Sequence, residues 1–96
     1  MNDGRFAWDE AKAKANLAKH LVSFDAAYLV FDDVFAVDQF DFVSDPGEIR
    51  CIITGLVNGV LLTVVYTERD DRVRIISARK ASADEEAEYY RGQTPQ

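Results

Sequence analysis

The dipeptide Asn58-Gly59 constrains this chain more than any other pair of its residues. It stands between two β-rich runs, Arg50 to Val57 and Val60 to Glu68, and Asn-Gly in that setting is the strongest short signal for a hairpin. A third run, Arg72 to Ala78, follows Asp70-Asp71, which reads as a second two-residue turn. Residues opposed in such hairpins share a face of the sheet. Arg50 then opposes Thr67, Glu48 opposes Arg69, Thr67 opposes Arg74, and Arg69 opposes Arg72. One end of one face collects Glu48, Arg50, Thr67, Arg69, Arg72 and Arg74. The other face collects Ile49, Cys51, Ile53, Val64, Tyr66, Val73 and Ile75, a surface fit for covering helices. In the same register Arg79 falls opposite Leu62. Either its stem packs over the apolar face and its head reaches water, or a bulge re-aims it.

The flanking segments supply the other elements. Arg5 to Trp8 alternates as a short strand, Asp9 is a good N-cap, and Glu10 to about Lys19 is rich in alanine and lysine, hence helical. Ser23 caps a second helix with Phe24, Ala27, Tyr28 and Phe31 at helical spacing, and Val34 to Phe42 alternates loosely as a strand ahead of an Asp45-Pro46-Gly47 turn. Ser82 with Glu85 forms a capping box that opens a last helix through Tyr90, and the tail beyond Arg91 should be loose. The order β-α-α-β-β-β-β-α predicts an α+β domain: an N-terminal strand, two helices, a four-stranded antiparallel meander and a C-terminal helix. A chain of 96 residues has room for one core, so 1–96 reads as one domain with its packed part at about 5–91.

Composition sets the outer limits. Against 11 Lys+Arg stand 17 Asp+Glu, a formal charge of −6, which taken alone argues against polyphosphate binding. The charge is unevenly placed, however. Residues 32–48 carry six acids and no base, whereas residues 49–80 carry six bases and three acids. A single cysteine, Cys51, cannot form an internal disulfide, and with the single His20 it cannot build a structural zinc site. No stretch approaches a membrane span and the N-terminus lacks a signal-peptide core, so a cytoplasmic protein is expected.

The segments FAWDEAKAKANLAKH, VSFDAAYLVFDD, GEIRCIITGL, VVYTERDDRVRIISARKA and EEAEYY follow one another over about residues 5–90. Together they resemble the BrnT family, toxins of type II toxin–antitoxin systems with a RelE-like fold. The resemblance implies a sequence-tolerant endoribonuclease that inhibits translation when free. It needs no metal or other cofactor, because the RNA 2′-hydroxyl is the nucleophile. The resemblance also implies a BrnA-type ribbon-helix-helix antitoxin as partner, with operator DNA bound through the complex. The pattern is departed from after Lys19-His20, where the family usually has the glycine of a left-handed helix cap and this chain has Leu21.

RNA cleavage needs a base for the 2′-hydroxyl, cations for the phosphorane and an acid for the leaving oxygen. Arginine is too basic for the first role and suits the second, which makes Arg50, Arg69 and Arg79 candidates for phosphate and transition-state contacts, with Arg72, Arg74, Lys80 and Lys19 as RNA-binding cations. The blander reading is a sheet end decorated with arginine against edge pairing. Glu48 is a candidate base or a cross-strand partner of Arg69. His20 is a candidate base or acid, or a cation answering a helix dipole. Of the C-terminal aromatics, Tyr89 is expected to be exposed and to stack on a base or donate a proton, as the C-terminal aromatic does in RelE-like enzymes. Two other activities compete: a RelE-like module that only binds protein, and a ParE-like topoisomerase inhibitor. The acidic block, Asp32, Asp33 and Asp38 included, is a candidate docking surface for a cationic antitoxin segment.

Overall fold

The computed structural model describes residues 4–45 and 48–92, with side chains outside 40–48. The elements are β1 (Phe6–Ala7), α1 (Glu10–His20), α2 (Phe24–Ala27), a 3₁₀ turn (Tyr28–Asp32), β2 (Val37–Asp45), β3 (Glu48–Val57), β4 (Val60–Arg69), β5 (Arg72–Lys80) and α3 (Ala83–Arg91). The strands form one sheet in the order β1-β5-β4-β3-β2. Strands β2 to β5 make the antiparallel meander that the turn signals imply, and β1 adds in parallel to β5, Phe6 opposite Val73 and Ala7 opposite Arg74.

Both hairpin turns are built as their residues require. Asn58 and Gly59 have φ of 49° and 84°, and Asp70 and Asp71 have 54° and 63°, so each turn uses two left-handed positions, which matches the twist of the flanking strands. The expected register follows: Cys51 opposes Tyr66, Thr67 opposes Arg74, and Arg69 opposes Arg72. It breaks once, in β5. Tyr66 pairs with Ile75 and Val65 with Ser77, so Ile76 is an extra residue and a bulge.

Helices α1 and α2 and the 3₁₀ turn cover one face of the sheet. The core there contains Phe6, Trp8, Phe24, Ala27, Val30, Ile53, Val64, Tyr66, Ile75 and Ala78. The rings of Tyr28 and Phe31 lie 5.4 and 5.2 Å from Phe6, and Trp8 meets Phe24 edge-on at 5.9 Å. Gly55 lets the 3₁₀ turn sit directly on β3, for a Cβ at that position would lie 2.9 Å from Val30 Cγ1 and 3.1 Å from Val30 O.

Side chains finish both edges of this sheet. β1 covers only two residues of β5, and Asn16 takes over beyond it. Its Nδ2 donates to the carbonyls of Ala78 (2.8 Å) and Val22 (2.9 Å), and its Oδ1 accepts the Ala78 N–H at 3.1 Å. On the opposite edge β2 starts at Val37, opposite Thr54, so the N–H of Leu56 lies beyond it; Asp33 Oδ2 accepts that donor at 2.8 Å.

Two boundaries differ from expectation. Phe35 N–H donates to Asp33 Oδ1 and Ala36 N–H to Asp33 O, which makes 33–36 a turn and delays β2 from Val34 to Val37. Upstream, the helical spacing Phe24–Phe31 is real, but after Ala27 the chain tightens into 3₁₀ geometry as it seats Val30 on Gly55. At the end of α1, Leu21 takes the left-handed cap position itself, with φ 60° and its N–H donated to Leu17 O at 2.9 Å. The expected Asp45-Pro46-Gly47 turn and the tail at 93–96 lie outside the described residues.

Candidate nucleic-acid interface

The end of the sheet that no helix among the described residues covers carries a row of two arginines with a threonine between them. Thr67 opposes Arg74 directly, and the β3–β4 register places Arg50 on its other side. Thr67 is buried, and its hydroxyl donates to Ile49 O at 2.8 Å, so the strand between the arginines presents only a small side chain. Arg50 and Arg74 stand about 10 Å apart at Cα, two strand spacings. Arg69 and Arg72 continue the face at the hairpin, and a cleft of about 390 Å³ opens among Ala7, Arg69, Asp70, Arg72 and Arg74.

The bulge at Ile76 decides where Arg79 points. With the register advanced by one, Arg79 opposes Thr63 instead of Leu62 and joins the arginine face. It lies five residues along β5 from Arg74, roughly 15 Å, and α3 packs over it. Its guanidinium is held by Glu85 in a two-pronged pair, Nη1 to Oε1 at 2.7 Å and Nη2 to Oε2 at 2.9 Å. The Thr63 hydroxyl (2.9 Å) and the Ser82 N–H (2.8 Å) also donate to Glu85 Oε1, and Thr63 shares a 2.8 Å hydrogen bond with Thr54. The Arg79 fork, opposed by partial burial, then backed by Ser82 and Thr63, holds the Glu85 carboxyl at about 2, below its ordinary 4.5. A carboxylate at that value stays ionised and is a poor base at neutral pH.

Tyr89 corrects one expectation. It is 2% exposed, while Tyr90 is 50% exposed. The Tyr89 hydroxyl donates to Asp33 Oδ2 at 2.5 Å, which ties α3 through that carboxylate to Leu56 at the end of β3 and leaves the ring buried. Burial acts to raise the Asp33 carboxyl, but the bonds from Tyr89, Leu56 and Phe35 outweigh it and leave the group below its ordinary value. Asp38 is also committed internally, accepting the Tyr66 hydroxyl at 2.6 Å. The acidic block is therefore not a uniform docking surface, since two of its aspartates hold the fold. Burial pushes the Cys51 thiol up, with Asp38 adding to the effect, as expected of an inert cysteine on the apolar face.

The remaining candidates are dispersed. His20 and Lys19 end α1 one turn beyond Asn16, which places them at the Arg79–Lys80 end of β5, away from Arg72. Lys80 is exposed and opposes Leu62. Glu48 opens β3, and its side chain lies outside the described residues. Sequence reasoning missed two residues that matter here. Glu85 was visible as a capping-box member but not as the partner of Arg79, and Asn16 was visible only as the asparagine of a motif.

The fold and the register together define a small α+β domain with an arginine-bearing sheet face. More particularly, the chain matches the family described as ribonuclease toxin, BrnT, of type II toxin-antitoxin system, over residues 8–85, and it belongs to that family. Members are ribonuclease toxins neutralised by an antitoxin. No curated protein matches the chain. No helix among the described residues is long and apolar enough to cross a membrane.

Proposed function

We propose that this chain is an active, metal-independent endoribonuclease that receives the RNA backbone across the row Arg50–Thr67–Arg74, with Arg69 and Arg72 extending the contact along the strand. The observation that carries this reading is the register itself: two arginines flank one small buried residue on the face that no helix among the described residues covers at that end. Their forks suit bidentate contact with phosphate and the charge that develops as the 2′-hydroxyl attacks. Local positive charge of this kind outweighs the formal −6 of the chain, whose acids lie mostly elsewhere. Arg79 takes a different role from the one its sequence position implies, anchoring α3 through Glu85. His20 and Lys19, at the other end of β5, remain candidates for a proton-transfer or backbone contact only if RNA extends that far. The partner we assign is a BrnA-type ribbon-helix-helix antitoxin, with operator DNA reached through the complex in the cytoplasm.

The test is induction of the chain in a bacterial host, with growth and RNA integrity followed together. Wild type should arrest growth with cleaved RNA, and Arg50→Ala combined with Arg74→Ala should relieve both while the purified variant keeps a cooperative melt. Undiminished cleavage by the double variant would refute the arginine row. Arrest with intact RNA and altered plasmid supercoiling would instead identify a topoisomerase inhibitor.

A further inference from the structure

Four of the large apolar side chains that the protein exposes lie at one corner. Val34 is 89% exposed, Phe35 58%, Tyr90 50% and Leu56 40%. Each is within one residue of a group bonded to the Asp33 carboxylate, or is itself that residue. The N–H of Phe35 donates to Oδ1, the N–H of Leu56 and the hydroxyl of Tyr89 donate to Oδ2, and the Tyr90 ring meets Tyr89 edge-on with centroids 5.1 Å apart. The turn before β2, the end of β3 and the last turn of α3 thus converge around one carboxylate and turn apolar groups outward.

The rim of this corner is acidic. Asp32 is exposed beside Asp33, and Glu86 is exposed one turn before Tyr90 on the same side of α3. Arg91, next to Tyr90 in the chain, pairs with Glu88. Leu56 and Arg50 are six residues apart on β3, about 20 Å, so the corner and the arginine row occupy opposite ends of the sheet.

Scattered exposed leucines and valines are ordinary, but aromatic and aliphatic side chains gathered on segments that converge at one corner, with a charged rim, mark a protein interface. The charge selects the occupant. An acidic rim repels RNA, and a symmetric pairing with a second copy would set Asp32 and Glu86 against their own equivalents. We infer that the antitoxin docks here, through a segment that presents two or three apolar side chains flanked by lysine or arginine. The apolar side chains contact Phe35, Leu56 and Tyr90, and the cations meet Asp32 and Glu86. This inference rests on antitoxin neutralisation in the family and is independent of the RNA role proposed for the arginines. One consequence follows from the separation of the two ends: toxicity and neutralisation are separable by substitution.

The experiment uses the full chain and its purified cognate antitoxin. Affinity is measured by calorimetry, and growth is followed on induction with and without the antitoxin. Val34→Ser combined with Phe35→Ser should weaken binding about tenfold or more, still arrest growth, and escape rescue. Asp32→Lys combined with Glu86→Lys should also weaken binding and flatten its dependence on salt. Arg50→Ala should bind the antitoxin as wild type does. Wild-type affinity in both corner variants overturns the inference, as does loss of antitoxin binding in Arg50→Ala. The charge-reversed pair decides the matter if the serine pair melts early. Should the wild-type chain leave RNA intact, the proposed activity fails, while the calorimetry still decides the docking surface.

Discussion

Replacing Glu85 with glutamine gives the sharpest test of how α3 is held. The carboxylate meets Arg79 with both oxygens, accepts Thr63 and Ser82 as well, and sits at about 2 where an ordinary glutamate sits at 4.5. A drop of that size corresponds to about 3 kcal/mol of folding stability if the pair is sealed from water. The side chain of Arg79 keeps 40% of its exposure and that of Glu85 24%, so solvent screening reduces the figure to about 2 kcal/mol. Glutamine keeps the shape and can still accept from Ser82 and Thr63, but its amide NH2 replaces the oxygen that accepts Arg79 Nη2, so one prong of the fork is lost together with the charge. Urea unfolding at pH 7 should therefore show Glu85→Gln less stable by about 2 kcal/mol, and thermal melts should fall by about 8–15 °C for a domain of this size. Because the folded-state value lies below the unfolded one, the stabilisation is complete above about 4.5 and disappears as pH falls toward 2. The gap between wild type and variant should close over that window, while other carboxylates titrate alike in both proteins. Equal stability at pH 7, or a gap that persists unchanged at pH 2.5, would refute the reasoning.

Four further substitutions probe the frame. Asn16→Ala removes the partner of the Ala78 N–H and of two carbonyls at a buried sheet edge. It should cost about 3 kcal/mol in urea unfolding, and a loss below about 1 kcal/mol would contradict the edge-capping role. Leu21→Gly relieves a left-handed leucine that is 79% exposed and should raise stability by about 1 kcal/mol, with Asp71→Gly giving a similar or smaller gain; a fall in either melting temperature contradicts this. Gly55→Ala drives a methyl against Val30 and should cost about 1–3 kcal/mol by the same measurement, whereas an unchanged midpoint would show that the 3₁₀ turn can retreat from β3.

The parts of the structure that were legible in the sequence are those set by local chemistry. Asn58-Gly59 and Asp70-Asp71 fix two hairpins, the hairpins fix the register, and the register places Arg50, Thr67 and Arg74 in one row. Asp9, Ser23 and Ser82 cap their helices as their types imply. The bulge at Ile76 carries no glycine or proline to announce it, so the side of the sheet taken by Arg79 is not legible in the sequence. Asn16 and Asp33 act on backbone groups 62 and 23 residues away, distances at which no pattern of spacing speaks. Tyr89 is buried against expectation because the inward side of α3 is polar. Ala83, Ala87 and Tyr90 recur at helical spacing yet are exposed, while Glu85 and Tyr89 face inward, held by Arg79 and Asp33.

The role of the arginine row is tested most directly by the salt dependence of binding to a single-stranded RNA made uncleavable by 2′-O-methyl groups. Each phosphate contact contributes about 0.7 to the slope of log affinity against log salt for a single strand. Arg50→Ala and Arg74→Ala should each weaken binding and reduce that slope by about 0.7, and together by about twice as much, while Lys14→Ala on the far helix leaves it unchanged. A slope that stays at the wild-type value in the double variant would contradict the account.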